Sequence, residues 1–514
     1  MKNFIRKSHK WLGLILAFII VLFSVSGIIL NHRDVFSSVD ITRKYLPRDY
    51  RYVNWNNAAI KSTTQIGDDS ILVYGNIGVW LTDSCFGRFK DFNNGFPEGV
   101  DNRKIFRILK TEKSVFAGTL YGLFKYDYSE KCWMKLPLPV KDENVTDLIR
   151  KGDSILALTR SHLLVSTDQK VFTEVLLPEP RNYDHKVSMF KTLWMIHSGE
   201  IYGKAGKLMV DVVALIFIFL SVGGCVLFFS KRIIRKHKTG IKKYDRQKRV
   251  YRFNFKWHHK IGWITAVFLL FTTLTGMFLR PPLLIAIADS RIKKLPHTGL
   301  DTPNPWFDVL RRIVYIPQKK IFIISTSEGF YSFDNQFRDK AVLFETQPPA
   351  SVMGVNVLEY EGNNTLLVGS FNGLFRWNFV TGELYDCIKK QSCKVPQKKG
   401  RPVGEYKITG FTNSFHHQFI TFDYSRGAFN LSGTRKFTDM PENIVAKSPL
   451  SLWNLALEFH TARIYRVLVG DFYILIIPLG GVFILLILVS GIIRGFKINK
   501  KSSNVQKSES KQKR

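Results

Sequence analysis

The 514-residue sequence predicts a membrane protein: a bundle of four transmembrane helices made by tandem duplication, joined to a β-rich extracytoplasmic domain. Three observations predict it. Four apolar runs, at 11–30, 208–229, 261–279 and 472–493, are each long enough to cross a bilayer, which takes about 20 helical residues. The long segments between the first and second runs, and between the third and fourth, read as short alternating strands broken by Gly, Asp and Asn. Each half of the chain also repeats the same order of parts, down to a histidine at the same place.

The net charge is +34, and its location decides its meaning. Residues 1–10, 231–260 and 494–514 hold 25 Lys and Arg against Asp245 and Glu509 alone, and each segment abuts an apolar run. This positive-inside pattern places both termini and the central basic loop in the cytoplasm and the β segments outside. Such clusters suit anionic lipid headgroups. No separate soluble region carries the charge, which excludes a nucleic-acid binder. The first run lacks a small-residue cleavage site and has a repeat partner, so it reads as a retained helix. Five cysteines include no CxxC and no Cys/His zinc spacing. Cys225 falls in the second run; Cys387 with Cys393, and Cys85 with Cys132, are candidate disulfides in an oxidising compartment.

In chain order, residues 1–32 hold the first helix and its cytoplasmic N-terminus, and 33–189 the first outer β segment. There SILVYGNIGVWLTD (70–83), SVFAGTLYGLFKYD (114–127) and SILALTRSHLLVSTD (154–168) share one plan: an apolar strand, a small turn, and a second strand ending at Asp. Residues 190–230 hold the second helix and its outer lead, 231–257 the basic loop, and 258–280 the third helix. The second outer segment, 281–452, repeats the plan at 320–334, at 365–378 and loosely at 417–432. Residues 453–496 hold the fourth helix and its lead, and the Lys/Ser/Gln-rich tail 497–514 is expected to be disordered. Repeats spaced by about 40–55 residues match propeller blades. Three from each half would make a six-bladed propeller; the alternative is two separate β-domains of three hairpins each.

Histidines carry the functional argument. HKWLG opens the first helix at His9 and HHKIG the third at His258, with a second glycine fourteen residues beyond the first in each (Gly13 and Gly27, Gly262 and Gly276). Two imidazoles from different helices at one height, facing a flat cavity, are the axial ligands of a haem iron. His9 and His258 meet the height test at the cytoplasmic end. His197 and His460 meet it outside, in the matching leads IHSGEIYGKAG and FHTARIYRVLVG. A lead helix running straight outward would set His197 roughly 15 Å beyond the second run, near or above the outer headgroups. His32 sits lower and competes for the outer pair if Gly199, Gly203 and Gly206 bend that approach. His259 is out of phase with His9 and ranks behind His258. His237 reads as solvated, and His162, His185, His297, His416 and His417 as surface or packing residues. Lys204, Lys207, Arg463 and Arg466 stand where the carboxylates of an outer haem would emerge, or they snorkel at the interface. The four glycines allow either close approach to a macrocycle or helix packing.

With these motifs the chain resembles the PepSY-associated transmembrane family of bacteria. The HxxxG openings and the HxGxxYGxxG-like lead carry the likeness; the second lead keeps His460 and Tyr465 but loses the glycines. The resemblance covers the helices and their flanks. Blade-like repeats stand where many members carry PepSY domains. It implies a multi-pass protein of the bacterial inner membrane, associated with iron, with some members being haem-containing reductases of ferric siderophores. The expectation is therefore a membrane oxidoreductase with one or two haem b groups, held by His9 and His258 and by His197 and His460, with His32 an alternative. Electrons would pass from quinol or a cytoplasmic reductase to a periplasmic ferric complex or envelope protein. No flavin or nicotinamide fingerprint is present, so the donor would be a partner or quinol. The alternative is a non-enzymatic anchored propeller that acts as a ligand- or protein-binding sensor or scaffold.

Overall fold

The computed structural model describes residues 2–236, 242–351, 354–393, 404–416, 418–431 and 436–512. They divide into two compact units. Met1–Phe36, His185–Asp301 and Leu452–Arg514 form a helical unit, and Ser37–Asp184 with Thr302–Ser451 a β unit.

The helical unit contains α1 (Lys2–Asn31), α2 (Met189–Ser198), α3 (Gly203–Lys236), α4 (Lys242–Ile264), α5 (Ala266–Phe278), α6 (Leu452–His460) and α7 (Ile476–Gln512). Three helical stretches are long and apolar enough to cross a membrane: Lys7–Asn31, Glu200–Arg235 and Arg463–Phe496. Their outward faces expose large apolar side chains, among them Phe18, Leu215 and Phe472, a surface that suits lipid and not water. The chain is a membrane protein, and a lipid bilayer is its partner. The third run differs from expectation, because it is a bent pair of helices and not one straight span. α4 and α5 meet at 64° around Thr265. Thr265 Oγ1 donates to the Ile261 carbonyl at 2.8 Å, the back-bonding by which hydroxyl side chains bend helices. The tail expected to be disordered instead continues α7 to Gln512. Beyond Gly495 it contains no Gly or Pro to stop a helix.

The β unit is a series of antiparallel sheets. Six begin with the strands Ser62–Gly67, Ile105–Lys110, Val145–Lys151, Leu310–Ile316, Val355–Gly362 and Ile408–Phe415. The repeats seen in the sequence form the second and third strands of these sheets, as Ser70–Gly75 and Gly78–Thr82 do in the first. Each first strand lies beside the first strands of the sheets before and after it, and Ile408–Phe415 lies beside Ser62–Gly67. Apolar clusters fill the spaces between successive sheets. Two of them join the halves of the sequence: Val73 and Trp80 pack with Phe415, Phe422 and Phe437, and Leu156 and Leu163 pack with Trp306, Leu310 and Phe322. The two outer segments are thus one unit and not two separate domains. A buried ion pair adds to the join. Arg312 Nη1 donates to Asp147 Oδ1 at 3.1 Å, and Arg312 Nη2 to the Asn356 carbonyl at 2.8 Å.

The candidate disulfides do not form, and all five cysteines are free. Cys387 packs with Leu367 and Leu374, whereas Cys393 lies against the Trp377 cluster, so the two point into different cores. Burial pushes the Cys387 thiol up to about 11.

Candidate functional site

The outer leads do not run straight. α2 stops at Gly199 (φ 77°), a single turn over Glu200–Tyr202 follows, and the chain reverses again at Gly203 (φ 60°). A Cβ on Gly199 would stand 2.2 Å from the Gly206 carbonyl oxygen, so this fold-back needs glycine. In the second half, Ala462 (φ 59°) and Gly470 (φ 57°) serve the same purpose. The fold-back carries each histidine toward the span instead of away from it. His197 lies against Gly276 on α5, and His460 against Gly27 on α1. The expectation of an outer pair standing beyond the apolar run is corrected accordingly.

The structure brings together both predicted pairs. The His9 and His258 rings have centroids 6.4 Å apart with planes at 89°; those of His197 and His460 are 6.1 Å apart at 48°. Two imidazoles bonded to one metal at about 2 Å each have their centroids roughly 6 Å apart. Gly27, the seat of His460, is eighteen residues beyond His9 on α1. At 1.5 Å per residue the pairs are roughly 27 Å apart along that helix, about one hydrocarbon thickness.

Three of the four rings are held in the same way. His9 Nδ1 contacts the Ile487 carbonyl at 3.1 Å and Ser490 Oγ at 2.9 Å, with Gly491 beneath the ring. His460 Nδ1 contacts the Phe23 carbonyl at 3.0 Å and Ser26 Oγ at 3.1 Å, over Gly27. His197 Nδ1 contacts the Thr272 carbonyl at 3.1 Å and Thr275 Oγ1 at 3.3 Å, over Gly276. The spacing on the receiving helix is the same each time: carbonyl at i, hydroxyl at i+3, glycine at i+4. Each hydroxyl has a backbone carbonyl for its own proton: Ser490 and Ser26 donate to that same carbonyl at 2.7 and 3.0 Å, and Thr275 to the Phe271 carbonyl at 2.9 Å or the Thr272 carbonyl at 3.1 Å. A carbonyl and a hydroxyl already donating can only accept, so Nδ1 carries the ring proton and Nε2 the lone pair. Among the described residues Nε2 makes no hydrogen bond in any of the four rings.

His258 is the exception. Its seat is Leu220, Gly223 and Gly224, with glycine where the others have a hydroxyl. Its Nδ1 is buried without a hydrogen bond of good geometry.

Other predicted residues lie elsewhere. His32 Nε2 is 2.6 Å from Asp211 Oδ2, and Asn31 Nδ2 donates to Asp211 Oδ1 at 3.1 Å; His32 is not in the outer pair. His259 is not paired with His9. His162 binds Glu174 at 2.6 Å, and His416 packs on Phe415. His237 and His417 lie outside the described residues. Lys204 is exposed, and Arg466 binds Asp471 at 3.2 Å. Arg463 remains at the site. Its Nη2 donates to Glu458 Oε1 at 2.5 Å, and its Nε is buried with no hydrogen-bond partner. Arg280, which sequence reasoning missed, lies within electrostatic reach of both Arg463 and His460. Gly13 has nothing within 4 Å of where a Cβ would stand.

These residues fit a haem. Among the described residues no group of three or more His, Cys, Asp or Glu is placed to hold a bare metal ion. Two facing imidazoles with free Nε2 atoms match the axial ligand set of a haem, whose macrocycle would supply the remaining ligands. The adjacent guanidiniums suit its carboxylates.

Among solved structures, two of an extracellular domain from B. thetaiotaomicron, named for a one component system and a hybrid two component system, are similar at 11% and 10% identity. They cover 75% and 74% of this chain, with TM-scores of 0.37 and 0.36. The chain spans 34% and 33% of their length. The computationally designed Ika8 protein is similar at 8% identity and a TM-score of 0.31, over 74% of this chain and 100% of its own. No curated protein matches. Residues 146–316 match the PepSY-associated TM region, taking in α2 to α5 with their seats for His258 and His197. The match covers about a third of the chain and supports its relation to the PepSY-associated TM family.

Proposed function

We propose that this protein carries electrons across the bacterial inner membrane, using haem b at two bis-histidine sites. The observation that carries the reading is the two facing imidazole couples, with ring centroids 6.4 and 6.1 Å apart and each Nε2 unbonded. Bound there, haem supplies reversible one-electron chemistry. The chain's own part is to hold and insulate it. His9 and His258 would hold the inner group, and His197 and His460 the outer one. Arg280 and Arg463 would pair with carboxylates of the outer group.

The basic termini and loop support a cytoplasmic inner side, with α4 and α5 together making a fourth span. The donor is then quinol or a cytoplasmic reductase, and the acceptor a periplasmic ferric complex reduced by one electron. The neighbour relations among the first strands, with Ile408–Phe415 returning to Ser62–Gly67, support a periplasmic six-bladed propeller. Purified protein should give a reduced-minus-oxidised spectrum of bis-imidazole haem b, with two haems per chain. A preparation without haem would sink the reading and leave the anchored scaffold in its place.

A further inference from the structure

We propose that the carbonyl–hydroxyl–glycine step on three of the four receiving helices is the positioning device for the ligand imidazoles, and that Gly223 in place of the hydroxyl on the fourth makes the inner site electronically distinct. The inference rests on the haem reading above and deepens it.

The device has three parts with separate tasks. The carbonyl accepts from Nδ1–H and fixes the tautomer. The hydroxyl, whose own proton is spent on a backbone carbonyl of its helix, offers a second acceptor and fixes the ring's rotation. The glycine lets the ring edge sit on the helix, with Cε1 between 2.7 and 3.7 Å of where a Cβ would stand at Gly276, Gly27, Gly491 and Gly224. Ser26, Thr275 and Ser490 supply the hydroxyl to three rings. At the fourth, Gly223 leaves His258 Nδ1 without it. An acceptor on Nδ1–H strengthens an imidazole as an electron donor to iron and so favours the oxidised state. The outer site has two such rings, the inner site one.

The missing hydroxyl can be restored. A Cβ at Gly223 would stand 3.6 Å from His258 Nδ1 and 3.6 Å from Asn254 Oδ1, ordinary contact that puts a serine Oγ within bonding reach of the ring. The test is potentiometric titration of the full-length protein in detergent, with haem counted separately by pyridine haemochrome. Gly223→Ser is expected to lower one of two midpoint potentials and leave the other unmoved, at unchanged haem content. Ser490→Ala is expected to raise that same potential, and Ser26→Ala to raise the other. If all three proteins hold two haems at wild-type potentials, the inference is overturned while the haem reading stands. Wild-type protein without haem overturns both. Should Gly223→Ser fail to fold, the opposed site assignments of Ser490→Ala and Ser26→Ala decide alone, and a shift of the same potential by both would refute it.

Discussion

The inner and outer histidine pairs come from one duplicated plan and differ in how they are built. The inner pair, His9 and His258, lies on long helices and needs no reversal of the chain. The outer pair, His197 and His460, stands at the ends of the short helices α2 and α6, each followed by a left-handed residue, Gly199 in one half and Ala462 in the other. The outer rings are each held by a carbonyl and a hydroxyl. At the inner site only His9 is held so. The two halves match in their histidines and differ in the seats. The ligand is what a fold cannot lose, whereas the seat is where two copies can be tuned apart.

The most severe way to break the comparison is to remove ligands one at a time. His9→Ala and His258→Ala should each lose about half of the haem, and the same half; His197→Ala and His460→Ala should lose the other. Spectra and haem counts of the four variants check this, and loss of different haems within a pair would refute the pairing. Next come the seats. Gly276→Ala puts a Cβ 2.7 Å from His197 Cε1, whereas Gly224→Ala stands 3.7 Å from His258 Cε1. Overpacking of the first kind costs about 1–3 kcal/mol. Gly276→Ala should therefore deplete the outer haem, and Gly224→Ala should leave the inner one in place. A gentler probe needs no mutation. Perpendicular imidazole planes leave two iron d orbitals nearly degenerate, so the 89° inner pair should give a highly anisotropic low-spin EPR signal and the 48° outer pair a more rhombic one. Two identical signals would contradict the geometry. The smallest effect is expected from His32→Ala. Its ring is engaged by Asp211, so both haems should remain, with a modest loss of thermal stability from the Asp211 carboxylate left behind.

Much of this was legible in the sequence because repetition marks constraint. One apolar helix with a histidine at its end says little; two with the same histidine and glycines say where a pair stands. The blade-like hairpins were legible for the same reason, although their first strands, such as Val145–Lys151 with Asp147, carry no shared motif and emerged only in the structure. The height of the outer pair was not legible. It depends on backbone reversals, and Ala462 in a left-handed conformation has no signature in its residue type. The seats had a signal that went unread: Ser26-Gly27, Gly223-Gly224, Thr275-Gly276 and Ser490-Gly491 put a small residue before glycine in all four apolar runs. Arg280 was overlooked because a lone arginine just past an apolar run looks like an interfacial anchor. The break at Thr265 was hidden by hydropathy, which does not distinguish a straight helix from a bent one.

Each pair joins a middle segment of the chain to a terminal one. His258 and His197 belong to the stretch between α2 and α5, which is continuous in sequence. His9 is near the first residue but is seated on α7, and His460 comes from α6 but is seated on α1. The outer pair cannot form before residue 460 is made, and the seat of His9 is incomplete until residue 491, however early the first helix enters the membrane. On the haem reading, cofactor loading at both sites would in this way be coupled to the last helices to be made.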